Sequence, residues 1–433
     1  MANVSVFATF LVVVLLVAST NQVIIRNPSF SIPWRKLLPK HSPLWPHGSM
    51  QVSPVILIPG DGGSQFEAKL DKPSVVHYLC AQKTAGYFDL WLNIELLLPY
   101  VLDCWIDNIK LNYNNVTDQT ENSPGVDIRV VGFGNSSSVE YLDPSRISIS
   151  KYFVDIANVL VANGYKRDVS IRGVPYDFRK APNELGDYFV AFKKLVEETY
   201  ELNNQTAVTF IAHSMGNLIG LHFLHQQTPE WKAKYIKSFI SLGAPWGGAV
   251  KAIKAFASGE NMNVALISAF RIRAEQRTNP SLTFIFPHPD FWDNNQTFVI
   301  TPTRNYSLSN MQDFFSDMNF PDGWEMYKRT SNLVTLKPPG VPMYCMYGVG
   351  VDTPTQMIYG KGQFPDTSPK VVNGDGDGTV NRRSLEVCAL WQKMIPNDIH
   401  LFPFTGVNHM TVLSDKNVLN AIGKVVFDLK EFR

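Results

Sequence analysis

The sequence lacks an excess of either charge, because 39 Lys and Arg residues balance 38 Asp and Glu residues and leave a formal net charge of +1. Proteins that bind nucleic acid usually carry a clear basic excess, so this balance argues against nucleic acid as a partner. It also provides no strong attraction to anionic membranes, so contact with lipid would depend on apolar surface. Low-complexity tracts and internal repeats are lacking too. The 433 residues suffice for one large domain with insertions or for two ordinary domains.

Long hydrophobic runs are scarce, and the most prominent one lies near the N-terminus at residues 6–17. It is shorter than the roughly 20 residues that a membrane-spanning helix needs. Small residues, Ala18-Ser19-Thr20, follow it and suit signal peptidase. The pattern therefore predicts a cleaved signal peptide over residues 1–20. No Lys or Arg precedes the run, which keeps a retained anchor as the alternative.

Cysteine is also scarce, and the absence of a CxxC pair argues against a zinc site. We expect neither a metal nor another cofactor. In an exported chain the four cysteines predict two disulfides, with three pairings open. The sequential pairing, Cys80 with Cys104 and Cys345 with Cys388, is favoured because each bridge closes a modest loop. Export also predicts glycosylation at the sequons of Asn115, Asn135, Asn204, Asn295 and Asn305.

Strand patterns alternate with helical patterns through residues 51–433, which predicts an α/β domain with a mostly parallel sheet. Strands are expected at residues 54–59, 168–174, 207–212, 236–242, 343–347 and 400–404, and helices at 155–164, 185–202, 215–227 and 417–432. Residues 249–339 are irregular and rich in Asn, Pro and aromatic residues. We interpret this stretch as an inserted cap.

The chemistry of the chain centres on Ala212-His213-Ser214-Met215-Gly216. The pentapeptide lies where an apolar strand ends and a helical pattern begins. A strand–turn–helix elbow of this kind presents a serine hydroxyl as a nucleophile, and small residues two before and two after it let the turn close. Ser214 is therefore the predicted nucleophile, and an ordinary helix N-cap is the alternative.

A serine nucleophile needs a base, and in such folds the acid and then the histidine follow it along the chain. His409 lies in a loop between the last strand and the last helix, which suits a base better than His288 in the insertion or His400 within a strand. The segment NGDGDGTV (373–380) is expected to supply the acid, with Asp377 preferred and Asp375 as its substitute. Asp352, which lies outside this segment, is a more remote candidate.

The acidic segment also imitates the first half of a calcium-binding EF-hand loop. That loop needs a bidentate Glu at its twelfth position, and the twelfth position counted from Asn373 is Ser384, which argues against calcium. Acyl transfer further needs donors for an oxyanion. The backbone N–H groups of Met215 and of Asp61, in the loop Gly60-Asp61-Gly62-Gly63, are the expected donors. A plain turn is the alternative for that loop.

Several longer motifs together resemble one family: PGDGGSQFEAKLDKP (59–73), HYLC (77–80), DCWIDN (103–108), PYDFRKAPNE (175–184), AHSMGN (212–217), SLGAPWGG (241–248) and NGDGDGTVN (373–381). The chain after residue 50 resembles the family of lysosomal phospholipase A2 and lecithin–cholesterol acyltransferase. The resemblance implies an α/β-hydrolase core with a membrane-binding subdomain at residues 77–110 and a cap with a lid at residues 249–339. It also implies a Ser214–Asp377–His409 triad, oxyanion donors at Asp61 and Met215, and the two sequential disulfides.

The function implied by the resemblance is a serine-dependent phospholipase A that also transfers acyl chains to lipid alcohols, acting at a phospholipid membrane surface in the lysosomal lumen or outside the cell. A phosphatidylcholine–sterol acyltransferase is the first alternative. A non-catalytic lipid-binding protein on the same fold is the second. For Trp91, Leu92, Leu96 and Leu97, both a membrane-facing position and core packing stay open.

Overall fold

The computed structural model describes residues 52–261, 268–335 and 337–427. The predicted signal peptide lies outside the described residues. Within them, no helix is both long enough and apolar enough to cross a membrane.

The strands of the described residues are β1 (Val55–Ile58), β2 (Phe66–Leu70), β3 (Phe88–Trp91), β4 (Leu111–Asn114), β5 (Gln119–Asn122), β6 (Val126–Val130), β7 (Ile171–Gly173), β8 (Val208–His213), β9 (Ile236–Leu242), β10 (Val299–Ile300), β11 (Asn305–Tyr306), β12 (Met343–Val349), β13 (Val351–Ile358), β14 (Lys370–Gly376) and β15 (Ile399–Thr405). The α-helices are α1 (Leu102–Ile109), α2 (Ser137–Glu140), α3 (Val154–Ala162), α4 (Gly186–Leu202), α5 (Gly216–His225), α6 (Pro229–Tyr235), α7 (Val250–Ser258), α8 (Ala269–Gln276), α9 (Pro280–Phe284), α10 (Met311–Asp317), α11 (Pro321–Thr330), α12 (Arg382–Leu385), α13 (Cys388–Met394) and α14 (Lys416–Val426).

Six strands form the central sheet in the order β15-β12-β9-β8-β1-β7, and every neighbouring pair is parallel. The interior strands β1 and β8 are fully buried and mostly apolar, as expected where helices cover both faces of a parallel sheet. Pairing of Ile58 with Ala212, and of Ala212 with Ser241, aligns the carboxyl ends of β1, β8 and β9. The predicted α/β fold is confirmed, and its α/β-hydrolase topology places a site at this edge.

The helices between core strands follow the sequence pattern closely. Helix α4 buries Phe189, Phe192 and Val196 at helical spacing, and its Phe192 ring stacks on Phe223 of α5. The last helix, α14, begins where the Asp415 carboxylate accepts hydrogen bonds from the next backbone N–H groups. Amphipathic segments of this kind are the ones that sequence periodicity identifies best.

Residues 249–339 are more regular than the sequence indicated. Their described part contains five α-helices, α7 to α11, and the short strands β10 and β11. The helices are five to ten residues long, too short to establish a period amid the prolines and aromatics. Their aromatic side chains form a second hydrophobic cluster, in which Phe256 packs edge-on against Phe286 and Phe315.

Both disulfides are present with the sequential pairing. Cys80 and Cys104 have Cα atoms 5.3 Å apart, and Cys345 on β12 is bonded to Cys388 at the start of α13, with a Cα separation of 6.6 Å. The five sequon asparagines are all exposed, and their glycosylation stays a prediction.

The segment closed by Cys80 and Cys104 divides its apolar residues between two environments. Trp91 and Leu97 are each 6% exposed and belong to the main core, and Leu92 and Leu96 pack partly buried against it. Core packing is therefore the outcome for these four. Other apolar side chains of residues 76–100 are exposed: Val76, Tyr78, Leu79, Tyr87, Ile94, Leu98 and Tyr100.

Candidate active site

Ser214 lies in a sharp turn between strand β8 and helix α5, with a backbone φ of 54°. The turn closes only because its neighbours are small. A Cβ on Gly216 would lie 2.3 Å from the carbonyl oxygen of Pro59, and one on Gly60 would lie 2.7 Å from Ser214 Cβ. This strained strand–turn–helix geometry is the elbow that exposes a nucleophile at the edge of a sheet.

His409 reaches this turn from the loop after strand β15. Its Nε2 lies 2.9 Å from Ser214 Oγ, and its Nδ1 lies 2.7 Å from Asp377 Oδ2. The three side chains predicted from widely separated motifs therefore form one hydrogen-bonded series. With Nδ1–H donating to the carboxylate, Nε2 is free to accept the hydroxyl proton of Ser214.

Asp377 directly follows strand β14 and is 1% exposed. A buried carboxylate is stable only when donors satisfy both oxygens. Its Oδ1 accepts hydrogen bonds from the backbone N–H groups of Thr379 and Val380, at 3.0 and 2.7 Å, which leaves Oδ2 for His409. The backbone N–H of His409 also donates to the Asp377 carbonyl, at 2.8 Å, so the two loops are joined directly.

The substitute residues lie in other environments. The Asp375 carboxylate accepts from the Gly350 backbone N–H and pairs with Arg382. His400 stacks on Tyr344 with ring centroids 4.8 Å apart. Neither is hydrogen-bonded into the Ser214 series, so the preference for Asp377 and His409 agrees with the geometry.

The loop Gly60–Gly63 after strand β1 runs beside Ser214, because a Cβ on Gly60 would lie 2.7 Å from Ser214 Cβ. Part of the Asp61 side chain is accessible to solvent. The surrounding protein nevertheless desolvates the Asp61 carboxylate and raises the pKa of this group to about 6, and a backbone hydrogen bond from Gly62 opposes the rise. Met215, the other expected donor residue, is fully buried at the start of α5.

Sequence reasoning missed several residues that hold this site. The indole N–H of Trp91 donates to the Gly62 carbonyl at 2.7 Å, so a residue of the disulfide-closed segment supports the loop. Tyr152 and His213 are buried beside Gly60 and His409. His213 stood within the serine motif, but nothing in its position signalled a partner 196 residues away.

The comparisons with known proteins agree with this arrangement. The sequence model of the family described as "Lecithin:cholesterol acyltransferase" matches residues 87–416. The chain belongs to this family. It is 46% identical over 376 residues to "Lysosomal phospholipase A and acyltransferase" of Rattus norvegicus, covering 87% of this chain and 90% of that protein.

Two human members of the family align over a similar length. Identity is 47% over 374 residues with the Homo sapiens protein named "Lysosomal phospholipase A and acyltransferase", covering 86% of this chain and 90% of that one. It is 41% over 405 residues with the Homo sapiens "Phosphatidylcholine-sterol acyltransferase", covering 90% and 91%. The lecithin:cholesterol acyltransferase family therefore includes this chain together with proteins named for phospholipid hydrolysis and for acyl transfer.

Proposed function

We propose that this chain is a serine-dependent phospholipase A that also transfers acyl chains from glycerophospholipids to lipid alcohols. The observation that carries the proposal is the series Ser214–His409–Asp377, with hydrogen bonds of 2.9 and 2.7 Å at the carboxyl edge of the sheet. Relatives named lysosomal phospholipase A and acyltransferase support the substrate class.

The proposed reaction has two halves. Ser214 Oγ attacks the ester carbonyl of the phospholipid while His409 Nε2 accepts the hydroxyl proton, and the Asp377 carboxylate stabilises the imidazolium. The backbone N–H groups of Met215 and Asp61 stabilise the oxyanion. His409 then donates its proton to the departing alkoxide of the lysophospholipid, which leaves the acyl chain esterified to Ser214.

In the second half, His409 takes a proton from water or from a lipid alcohol. The oxygen of that molecule attacks the acyl ester, and Ser214 Oγ leaves with the proton from His409. Water yields a fatty acid, and a lipid alcohol yields a new ester. A phosphatidylcholine–sterol acyltransferase differs in its acceptor alone, and the relatives of that name make it the second candidate.

The decisive measurement is fatty-acid release from phosphatidylcholine vesicles by the wild type, Ser214→Ala and a control, Ser145→Ala, whose side chain is exposed. We expect Ser214→Ala to lose activity by on the order of 10⁶-fold and the control to keep it. A fluorophosphonate probe should label the wild type and not Ser214→Ala. Undiminished release by Ser214→Ala would refute the serine mechanism, and a wild type that neither hydrolyses nor labels would favour a non-catalytic lipid-binding protein.

The acyl acceptor is distinguished by product analysis. Vesicles with labelled acyl chains are supplemented either with cholesterol or with a ceramide-type alcohol, and the labelled esters are separated from the free fatty acid. Ester formation with the ceramide-type alcohol supports the first candidate. Transfer confined to cholesterol would favour the sterol acyltransferase.

We also propose that residues 77–110, with the adjoining Val76, contact the phospholipid surface. Seven of the 19 exposed large apolar side chains among the described residues lie at residues 76–100, and Tyr78 is 85% exposed. Clustered apolar exposure of this kind favours a membrane contact. Residues 249–339 are the proposed cap. Within it, residues 251–277 resemble the family lid, and their described part includes α8 and nearly all of α7.

This surface is tested by vesicle flotation of Tyr78→Ser and Leu79→Ser. Val190→Ser is the control, because Val190 is an apolar residue on helix α4, 73% exposed, outside residues 76–110. We expect weaker flotation for the first two variants alone. Hydrolysis of a soluble ester should stay unchanged in all three. Equal flotation of all variants would contradict the assignment.

Taken with the relatives' names, these proposals place the protein in the lysosomal lumen or outside the cell.

A further inference from the structure

A chain of buried hydrogen bonds links the two loops that flank Ser214. The backbone N–H of Gly60 lies 2.9 Å from Tyr152 Oη, and Tyr152 Oη lies 2.6 Å from His213 Nδ1. His213 Nε2 in turn lies 2.8 Å from the carbonyl oxygen of His409. The Tyr152 and His213 side chains are 4% and 2% exposed, so water does not substitute for these bonds.

The direction of every bond follows from the chemistry of its ends. A carbonyl oxygen only accepts, so His213 Nε2 carries the hydrogen and donates to His409. Neutral imidazole then accepts at Nδ1, so Tyr152 donates its hydroxyl hydrogen there, and its oxygen accepts from the Gly60 N–H. Burial holds the pKa of His213 well below its usual value, which keeps the imidazole neutral and preserves this arrangement.

The chain also has little freedom to move. A Cβ on Gly63 would lie 2.9 Å from Tyr152 Cε1, so the tyrosine ring packs directly beneath the Gly60–Gly63 loop. The His213 ring lies 4.8 Å, centroid to centroid, from the His409 ring. Since His213 is the last residue of strand β8 and Ser214 follows it, the sheet anchors the middle of the chain beside the nucleophile.

We infer that Tyr152 and His213 are positioning residues for acyl transfer, which set the Gly60–Gly63 loop and the His409 backbone at fixed distances from Ser214. The inference rests on the proposed function, in which Asp61 of that loop supplies an oxyanion donor and His409 the base. The hydrogen bonds of Tyr152 and His213 join these side chains to each other and to backbone groups of Gly60 and His409, rather than to Ser214 Oγ or His409 Nε2. Their effect on the rate arises from the alignment of these two loops, where a displacement of about 1 Å lowers rates on the order of 100-fold.

Tyr152→Phe tests the inference, with Tyr165→Phe as a matched control. Tyr165 is also buried, and its hydroxyl donates a single hydrogen bond, to the carbonyl of Ser53 at 2.7 Å, at the opposite end of strand β1. Tyr152→Phe loses two buried hydrogen bonds and Tyr165→Phe loses one, so both variants should lose thermal stability, Tyr152→Phe the more. We expect only Tyr152→Phe to lower kcat on a soluble p-nitrophenyl ester, by about 10- to 100-fold, with KM changed less than about two-fold.

The histidine is tested by comparing His213→Gln with His213→Leu. The glutamine amide N–H replaces Nε2–H as a donor to the His409 carbonyl, whereas leucine leaves that carbonyl unpaired in the interior. We expect the rate of fluorophosphonate labelling at Ser214, measured per folded molecule, to be partly restored in His213→Gln relative to His213→Leu. A purely structural role predicts that the labelling rate of folded protein is the same in both.

Equal kcat in Tyr152→Phe and Tyr165→Phe would overturn the inference, and so would equal labelling of the two His213 variants. If Tyr152→Phe yields no folded protein, the His213 pair decides. Failure of the proposed function is recognised separately, because either Ser214→Ala would keep its activity or the wild type would neither hydrolyse nor label. Loss of activity in Ser214→Ala combined with a fully active Tyr152→Phe would refute the positioning role alone.

Discussion

Glu275 on helix α8 should make the stability of the protein depend on pH, and Glu275→Gln should remove that dependence. The Glu275 side chain is 5% exposed, and its Oε1 accepts one side-chain hydrogen bond, from Asn279 Nδ2 at 2.7 Å. Burial raises its pKa from 4.5 to about 7, Asp61 and Asp177 contribute to the rise, and Arg179 and the Asn279 hydrogen bond oppose it.

The sign and size follow from the difference between folded and unfolded protein. Because the folded pKa is raised, the folded state binds the proton more tightly, so this stabilisation is complete below pH 4.5 and is lost as the pH rises to about 7. A rise from 4.5 to about 7 corresponds to roughly 3 kcal/mol of unfolding free energy. Glutamine has the shape of the protonated carboxyl and keeps the acceptor for Asn279, so the variant should match the wild type near pH 4.5.

The assay is equilibrium urea unfolding at pH 4.5, 6, 7 and 8 with the disulfides intact, followed by tryptophan fluorescence. Between the lowest and highest pH the wild type should lose roughly 3 kcal/mol more than Glu275→Gln. Glu198→Gln, which changes an exposed carboxylate on α4, should run parallel to the wild type. If the wild type and Glu275→Gln have parallel curves, the buried carboxylate is not ionising in this range and the reasoning fails.

Two further predictions concern the rate. Asp377→Asn should lower kcat by about 10⁴-fold in soluble-ester kinetics, because the amide holds His409 in the wrong tautomer. The control Asp375→Asn removes a carboxylate that pairs with Arg382, and its kcat should stay within about two-fold of the wild type. Comparable losses in the two variants would show that the acid is misassigned. Trp91→Phe keeps a buried ring but removes the indole donor to the Gly62 carbonyl at 2.7 Å, so kcat should fall roughly ten-fold with KM nearly constant. The control Trp105→Phe loses an indole hydrogen bond to the Leu90 carbonyl of strand β3 at 3.1 Å, and it should change stability alone.

Much of the fold could be predicted from the sequence because local pattern and tertiary role coincide there. Strand β8 reads as an apolar run and is fully buried, and helix α4 shows its period over 17 residues. The short helices of residues 249–339 gave no such signal. Their formation depends on aromatic packing between segments, a tertiary contact that no local period records.

Burial in the disulfide-closed segment was undetermined for a related reason. Leu97 and Leu98 are adjacent and chemically identical, yet Leu97 is 6% exposed and Leu98 36%. Apolar character indicates that a residue gains from leaving water, but not whether the surface covering it belongs to the same chain or to a lipid. The direction of each side chain decides between the two, and it is set by the 3₁₀ turn at Ile94–Leu97 and the helix that follows.

The residues proposed to react and those inferred to align them differ in how readily the sequence reveals them. Ser214 and His409 each follow a predicted strand, and Asp377 lies in the glycine-rich segment 373–380, so a local pattern marks all three. Tyr152 has no comparable mark, because its hydroxyl meets Gly60 and His213 across 92 and 61 residues of chain. A tyrosine before a helix is equally compatible with ordinary core packing, so the folded arrangement was needed to find it. By the same reasoning, in a site of this kind the residues hidden from the sequence should affect kcat through alignment, while the residues apparent from it perform the proton transfers.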